Sequence, residues 1–287
     1  MSAARRHAWI EIAVDAGEEA VEAVSEILDR VGSGGIAVDL PSGDGPHVVK
    51  AYFRYDPRAR VRVRRVREAL GHLQAFDLGP VGEVRVRRIA EEDWLASWKA
   101  AFTPIRIGAF HVRPSWSTAP AEAGSIPVVL DPGMAFGTGL HPTTQQCLEA
   151  LSMLELAGRS LLDVGTGSGI LAIAAAKRGA RPVVAVDDDP IAVEAARENA
   201  AANGVAVDVG AGSAADIRGS FDVVVANIVA DVLTRIAPDL RARLAPGGRL
   251  VLGGIVAEKE AAALAAFAPL GERERDRRGD WVRVTLA

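Results

Sequence analysis

The sequence predicts an α/β protein in which a small α+β unit precedes a larger domain with a doubly wound, mostly parallel sheet. The first observation is an apolar stretch ending in Asp163-Val164, after which glycine occupies every second position up to Gly169. An alanine-rich run with high helix propensity follows. Buried strand, tight glycine turn and helix in this order are typical of a Rossmann-like sheet. The second observation is a β-α-β-β-α-β order of hydrophobic patterns in the N-terminal third.

Composition limits the class of protein. The 287 residues are enough for two domains, and the 49% apolar content includes no uncharged run long enough to span a membrane. No hydrophobic signal-peptide core follows the first residues. The single cysteine, Cys147, excludes an intrachain disulfide and a cysteine-rich zinc site, and the net charge of −4 indicates no general affinity for nucleic acid. We therefore expect a soluble, cytoplasmic protein without a metal site.

Residues 1–89 are predicted to form a ferredoxin-like α+β domain. Residues 9–14 alternate like a half-buried strand, and residues 18–31 carry an apolar stripe at helical spacing. Such a fold does not by itself indicate a ligand, because it occurs in proteins that bind RNA, protein or small molecules. The other predicted elements are strands at residues 36–38, 48–53 and 83–87 and a helix over residues 56–73.

This domain also carries arginines in two groups. One interpretation is a solvated helix face and an exposed strand face, balanced by acidic residues of the first helix. The other is a docking surface for RNA or for an acidic protein patch. The acids interspersed elsewhere in the domain favour the first interpretation. The arginines are Arg58, Arg60, Arg62, Arg64, Arg65, Arg67, Arg85, Arg87 and Arg88.

Residues 90–104 are predicted to form a linker helix. Trp94, Trp98 and Phe102 recur at i, i+4 and i+8 and therefore line one side of it. We expect this stripe to pack the linker onto the larger domain, which we assign to residues 105–287.

A strand at Pro127–Leu130 leads into a glycine-rich loop and then a helix predicted over residues 142–156. A loop of this composition just before the first strand of a Rossmann-like sheet can fold over a bound nucleoside. We expect Phe136 to cover that ligand and Thr144 to hydrogen bond to it; the alternatives are a core aromatic and a helix cap, respectively. His141 is interpreted as a turn or capping residue and not as a general base.

The glycine turn is the expected ligand cradle. Gly165 and Gly167 let the backbone turn sharply and approach a ligand with no Cβ in the way. The free N–H groups of the helix that begins at Ile170 would face the same ligand.

The next strand ends in Asp187-Asp188-Asp189, with Asp187 about 20 positions beyond the turn, where a carboxylate can accept hydrogen bonds from ribose hydroxyls. The glycine spacing is G-x-G-x-G, because Ile170 occupies the slot of the last glycine of the dinucleotide motif G-x-G-x-x-G. The pattern resembles the nucleoside-binding turn of class I S-adenosylmethionine-dependent methyltransferases. The alternative is another Rossmann-type enzyme that binds NAD or FAD.

Asn227 follows the fourth strand of this sheet, and ligands lie outside the carboxyl ends of parallel strands. The residue is therefore expected to point into the site, although capping of the next helix fits the spacing equally well. The last strand is predicted to be an antiparallel edge. The remaining strands are assigned to residues 205–209, 221–226, 249–254 and 281–286, with helices at residues 191–203 and 256–267.

Several segments together resemble the ribosomal protein L11 methyltransferase (PrmA) family, and the resemblance covers nearly the whole chain. The most specific is Asp131-Pro-Gly-Met-Ala-Phe-Gly-Thr-Gly-Leu-His-Pro-Thr-Thr144. The others are the glycine turn, Val225-Ala-Asn-Ile228, the linker Trp94…Trp98-Lys99…Phe102-Thr103-Pro104, and Pro114-Ser-Trp116.

The resemblance implies a Rossmann-like class I methyltransferase domain with a seven-stranded, mostly parallel sheet. It also implies a bacterial enzyme that methylates lysine side chains and the N-terminal amine of ribosomal protein L11, with S-adenosylmethionine as methyl donor. Residues 1–89 would recognise the protein substrate, and the linker would let them swing. The cofactor contacts implied by the motifs are Thr144, Gly165, Asp187 and Asn227, to which Phe136 and Gly167 are added. Residues 229–230 are Val-Ala, where the family more usually has Leu-Ala, which bears on substrate contacts.

Methyl transfer from a sulfonium is an in-line displacement that needs a neutral amine. Our hypothesis is that the Asn227 side-chain oxygen and a backbone carbonyl just after it accept the hydrogens of that amine. We expect a monomer with no stable nucleic-acid partner and no membrane association. The alternatives are a methyltransferase of the same fold that acts on RNA, on a small molecule or on lysines of another protein, and a non-catalytic ribosome-assembly factor.

Overall fold

A computed structural model describes residues 8–17, 20–29, 36–39, 45–74, 80–90, 104–118, 120–130, 139 and 141–287. The chain divides into two compact units, Met1–Phe102 and Thr103–Ala287. The predicted linker helix falls almost entirely on residues 91–103, and Phe136 falls on residues 131–138; both lie outside the described residues. Among the described residues, no helix is long and apolar enough to cross a membrane.

The first unit has the predicted β-α-β-β-α-β order. Its four strands form one antiparallel sheet in the order β2-β3-β1-β4, so that β4 lies at an edge. The elements are β1 (Ala8–Ala16), α1 (Val21–Asp29), β2 (Ile36–Asp39), β3 (His47–Arg54), α2 (Ala59–Gln74) and β4 (Arg85–Ala90).

The core of this unit lies between the sheet and the two helices. Ile12 and Val14 alternate onto one face of β1, where they pack with Leu28 of α1, Phe53 of β3 and Val66 of α2. All five side chains are at most 1% exposed. Burial of an aliphatic or aromatic side chain of this size stabilises the fold by about 1.5–3 kcal/mol, so the period of two along β1 determines which face receives the helices.

The second unit begins with a small sheet of three strands, β5 (Ile105–Ile107), β6 (Phe110–Arg113) and β7 (Ile126–Val129). Strand β6 pairs antiparallel with β5 and parallel with β7. The sequence indicated β6 and β7 but not β5, which is too short for its alternation to be recognised.

The large sheet has the predicted seven strands, in the order β10-β9-β8-β11-β12-β14-β13. The five strands from β10 to β12 are parallel, and β14 runs antiparallel to both of its neighbours. The elements are α3 (Pro142–Met153), β8 (Leu161–Val164), α4 (Ile170–Lys177), β9 (Val183–Asp187), α5 (Pro190–Ala202), β10 (Asp208–Ala211), β11 (Phe221–Asn227), α6 (Ala230–Ala242), β12 (Leu244–Val256), α7 (Glu260–Ala265), β13 (Glu272–Arg278) and β14 (Trp281–Leu286).

The prediction that residues 281–286 form the edge of the sheet was wrong. The edge strand is β13, and β14 lies between it and β12. The sequence of β13 is Glu-Arg-Glu-Arg-Asp-Arg-Arg, and most of its residues are exposed, so it lacks the apolar alternation from which strands are recognised. Other bounds differ as well. Strand β10 begins at Asp208 instead of Val205, β12 begins at Leu244 instead of residue 249, and α3 ends at Met153 instead of residue 156. Residues 257–265 form a short 3-10 helix followed by α7.

Helices cover both faces of the large sheet. Helices α3, α4 and α5 pack on one face through residues such as Leu148, Ile173 and Val193, and α6 and α7 pack on the other through Leu233 and Ala263. All four residues of β8 are buried, as expected for a central strand covered on both sides. Because both faces of β8 are covered, residues at its carboxyl end are the ones that can take part in a functional site.

Candidate functional site

The site lies where three neighbouring parallel strands end. Val164 of β8 is level with Val186 of β9 on one side and with Ala226 of β11 on the other. The residues that follow are therefore brought to one edge of the sheet. This edge collects Gly165, Asp187 and Asn227, which are far apart in sequence.

The glycine turn requires glycine for two independent reasons. Gly165 and Gly169 have φ angles of +68° and +82°, in the left-handed region of backbone conformation that residues with a Cβ rarely adopt. A Cβ added to Gly165 would also lie 2.7 Å from Cδ1 of Ile228, and one added to Gly169 would lie 3.1 Å from Cα of Ala196. The bare backbone of the turn is thus packed against Ile228, which directly follows β11, on one side and against α5 on the other.

Asp187 ties this turn to β9. Its Oδ2 accepts a 2.8 Å hydrogen bond from the backbone N–H of Gly167, and its Oδ1 accepts one of 3.0 Å from the N–H of Asp189. Asp189 in turn caps α5, because its Oδ1 accepts a 2.9 Å bond from the N–H of Ile191. Of the acidic triplet, Asp187 is therefore the one on the turn. A carboxylate that has accepted two hydrogen bonds still has lone pairs for ligand hydroxyls.

Thr144 and Asn227 meet in the structure, although 83 positions separate them in the chain. The Nδ2 of Asn227 donates to Oγ1 of Thr144 at 3.3 Å, and Thr144 is 1% exposed in the first turn of α3. The Oδ1 of Asn227 is buried and has no hydrogen-bond partner among the described residues. A buried acceptor without a donor costs about 1–3 kcal/mol, so this oxygen is suited to a ligand N–H.

Neither Thr144 nor Asn227 caps a helix in the structure. The N-cap of α3 is His141, and the N-cap of α6 is Val229, whose side chain makes no capping bond. The Nδ1 of His141 accepts from the N–H of Thr143 at 3.3 Å, and its ring packs edge-on against Trp281 with the ring centroids 4.9 Å apart. The prediction that His141 is a capping residue is confirmed.

Asp163 supports the turn from beneath. It is completely buried, and its Oδ2 accepts a 2.6 Å bond from Oγ1 of Thr166 and a 3.2 Å bond from the N–H of Ala172. Burial raises the pKa of Asp163 to about 7, and these two hydrogen bonds oppose the rise. The carboxyl group thus joins the turn to the first turn of α4.

Asn199 is a residue of this site that sequence reasoning missed. Its side chain is buried in α5, and its Nδ2 donates a 2.9 Å hydrogen bond to the backbone carbonyl of Ser168 in the glycine turn. The available signal was a polar residue on the buried stripe of α5, which otherwise consists of small apolar residues such as Ala192 and Ala196. Asn199 therefore fixes the turn from the side opposite Ile228.

No group of three or more His, Cys, Asp or Glu side chains that could hold a metal ion occurs in the part of the chain that the structure describes. The polar groups at this edge of the sheet are instead the backbone of the glycine turn, the carboxylate of Asp187, the hydroxyl of Thr144 and the amide of Asn227. Such a set recognises a polar organic ligand with hydroxyl and amine groups.

A family model described as "Ribosomal protein L11 methyltransferase (PrmA)" matches residues 8–287. The chain is 41% identical to the ribosomal protein L11 methyltransferase of Chloroflexus aurantiacus, with 96% of this chain and 97% of that protein covered. It is 40% identical to the protein of the same name from Geobacter metallireducens, with 95% and 96% covered. The crystal structure of a ribosomal protein L11 methylase from Lactobacillus delbrueckii subsp. bulgaricus superimposes with a TM-score of 0.60 and 33% identity, over 65% of this chain and 98% of that one.

We predict that Asn199→Leu lowers the affinity for S-adenosylmethionine about tenfold, because loss of one buried hydrogen bond of about 1.4 kcal/mol frees the turn. Titration calorimetry measures the affinity, and thermal unfolding reports whether the fold survives. Glu198→Ala, an exposed change on the same helix, is the control and should leave affinity unchanged. Unchanged affinity in Asn199→Leu would show that the turn holds its shape without this bond.

The cap of α3 should depend on pH. Burial lowers the pKa of His141, and only the neutral ring has an Nδ1 lone pair that accepts from Thr143. Its contribution of about 1 kcal/mol is fully present above the unfolded-state pKa of about 6.5 and is lost as the pH falls through the lower folded-state value. Thermal unfolding between pH 8 and 5 should show a loss in the wild type that is absent in His141→Asn, which caps without titrating. Parallel pH profiles for the two proteins would contradict this role.

Proposed function

Because the chain belongs to the ribosomal protein L11 methyltransferase (PrmA) family, we propose that it methylates lysine side-chain and N-terminal amines of ribosomal protein L11. The methyl donor of this family is S-adenosylmethionine. The observation that carries the proposal at the level of chemistry is the buried Oδ1 of Asn227 beside Thr144, which has no hydrogen-bond partner in the described part of the chain.

The residues at this edge fit S-adenosylmethionine. The backbone at Gly165 is bare because a Cβ there would clash with Ile228, and the carboxylate of Asp187 stands at the end of β9 with free acceptor capacity. We propose that Gly165, Gly167 and Asp187 hold the nucleoside and that Thr144 and Asn227 hold the amino-acid end. Phe136 is proposed as the residue that covers the ligand. When bound, the cofactor supplies a methyl group on a positively charged sulfur.

The main demand on the protein is to provide a neutral acceptor amine. A free lysine with a pKa of about 10.4 is neutral only about 0.04% of the time at pH 7. Desolvation favours the neutral form, and so does a positive charge nearby. Ile228 lies directly over the turn, and Val229 is 60% exposed beside it, so the edge next to Asn227 is apolar. An amine that enters there leaves water for an apolar environment, which favours its neutral form.

We propose that Oδ1 of Asn227 and the backbone carbonyl that follows it accept two hydrogens of this amine and aim its lone pair. Positioning of this kind can contribute several kcal/mol; the most favourable orientations contribute about 7–11 kcal/mol. The nearby His141 and Cys147 do not serve as bases in this scheme. The imidazole caps α3, and burial raises the pKa of the Cys147 thiol to about 12. The product proton would leave through water.

The two units are proposed to divide the work. Residues 1–89 recognise the protein substrate, residues 105–287 bind the cofactor and catalyse transfer, and residues 90–104 link them and let the first domain swing. We further propose that the protein acts as a monomer in the cytoplasm, where its ribosomal substrate is found, without a stable nucleic-acid partner or membrane attachment.

We predict that the protein transfers label from S-adenosylmethionine to purified L11, and to L11 within a mixture of ribosomal proteins, with no change after ribonuclease treatment. Mass spectrometry of the product should place the methyl groups on lysine and N-terminal amines. Label that goes to RNA, or to another protein in preference to L11, would favour the alternative methyltransferase functions. Binding of the cofactor without transfer to any component would favour a non-catalytic assembly factor.

We predict that Asn227→Ala lowers kcat on the order of 100-fold, because the amine loses the acceptor that orients its lone pair. The affinity for S-adenosylmethionine should also fall, since the contact with Thr144 is removed. Steady-state kinetics and calorimetry measure the two effects. Arg235→Ala, an exposed change on α6, is the control. An Asn227→Ala variant with both full turnover and full cofactor affinity would refute the role of this residue.

A further inference from the structure

The first unit contains a groove between α2 and the edge strand β4, with a volume of about 360 Å³. We call it the arginine groove. Its apolar lining includes Ile10 of β1, Val63 of α2 and Val86 of β4, and its charged rim consists of Arg60, Arg64 and Arg67 of α2. The groove thus combines a hydrocarbon floor with a cationic wall.

Part of the apolar surface is open to solvent. Val86 is 39% exposed, and Tyr55, which also lines the groove, is 50% exposed. Exposed apolar side chains that lie together within a polar rim mark surfaces that bind a partner, whereas isolated ones are ordinary.

The arginines of α2 fall into two classes that the sequence does not distinguish. Arg62 is neutralised, because it pairs with Asp56 at 2.8 Å and lies over the ring of Phe53. Arg60 and Arg67 have no acidic partner among the described residues, and Arg64 has only an exposed pair with Glu68 at 3.6 Å.

The three rim arginines are also close to one another. They stand at i, i+4 and i+7 on α2, so they share one face of the helix. Like charges at such spacing destabilise a helix by a few tenths of a kcal/mol per pair. An anionic partner would relieve this repulsion, so the charge on the rim is complementary to carboxylates or phosphates.

The lining favours a protein over RNA. Single-stranded RNA is held by stacking of bases on exposed aromatic faces. The described aromatic side chain of this groove is Tyr55, and the guanidinium of Arg88 already lies over its ring, 4.3 Å from the centroid. The other floor side chains are aliphatic, and they match aliphatic side chains of a protein segment.

We propose that the arginine groove binds an acidic segment of the protein substrate that also carries aliphatic side chains, distinct from the segment that is methylated. Carboxylates of this segment pair with Arg60, Arg64 and Arg67, and its aliphatic side chains cover Val63 and Val86. The proposal rests on the proposed function, because the partner is the methyl acceptor. It accounts for selection of one protein among many that present lysines.

The test compares two double variants of the full-length protein with equal change of net charge. Arg60→Glu with Arg67→Glu changes the two rim arginines that have no acidic partner in the described ranges. Arg58→Glu with Arg65→Glu changes exposed arginines of the same segment that are not part of the groove lining given above. We expect the groove double variant to raise KM for L11 at least tenfold, with kcat and the affinity for S-adenosylmethionine unchanged. The control double variant should raise KM less than twofold.

Two further measurements make the test specific. A synthetic peptide with the methylated N-terminal segment of L11 alone should be turned over equally by all three proteins, since it lacks the docking segment. Val86→Ser, which removes floor hydrocarbon without a change of charge, should raise KM for L11 severalfold. Binding of fluorescently labelled L11, followed by anisotropy, reports docking independently of turnover.

The outcomes separate the two proposals. Failure of the wild type to methylate L11 contradicts the proposed function, and absence of L11 binding, or binding that all variants retain, overturns the docking proposal. Equal effects of the two double variants would show nonspecific attraction and overturn it as well. A third outcome would also overturn the docking proposal. If the groove double variant lost binding to an RNA oligonucleotide while its KM for L11 stayed unchanged, the groove would be assigned to RNA.

Discussion

The hydrogen bond from the N–H of Gly167 to Oδ2 of Asp187 is the interaction on which the rest of the site depends. It joins the end of β9 to a turn that begins at the end of β8. The carbonyl of Val186, one residue earlier, accepts bonds of 2.9 and 3.0 Å from the N–H groups of Gly165 and Thr166. The turn is therefore shaped by its neighbour strand as much as by its own glycines. Asn199 of α5 holds the carbonyl of Ser168, and Asp163 of β8 holds the hydroxyl of Thr166, so three elements constrain the four successive residues 165–168.

Much of this arrangement was predictable because it follows from spacing along the chain. An acidic residue at the end of the strand after a glycine turn lies at the carboxyl edge of a parallel sheet, beside that turn. The position of Asp187 was therefore predictable. The roles of Thr144 and Asn227 were not, since capping and ligand binding require the same residue types at the same helix starts. Geometry removes the capping alternative for both, because His141 caps α3 and Val229 occupies the N-cap of α6.

Other features could not be predicted from the sequence because they leave no periodic pattern in it. Strand β13 consists entirely of charged residues, and it is stabilised as a strand by pairing with β14, which no local pattern reveals. Asn199 resembles any polar residue in a helix until the carbonyl of Ser168 is placed beside it. The arginines of α2 are a similar case. The sequence gives their number, but which of them are neutralised depends on Asp56 and Phe53, which lie on preceding segments.

The burial of Cys147 has a practical consequence for the study of this chain. It is the sole cysteine of the sequence, and it lies fully buried in α3, with a thiol pKa of about 12. A thiol in that state is protonated at neutral pH and out of reach of maleimide or methanethiosulfonate reagents. Cysteines introduced at exposed positions such as Arg65 and Arg235 can therefore be labelled selectively without first removing the native one. A pair of spectroscopic probes attached in this way, one on each compact unit, would measure the distance between the units and its distribution in solution.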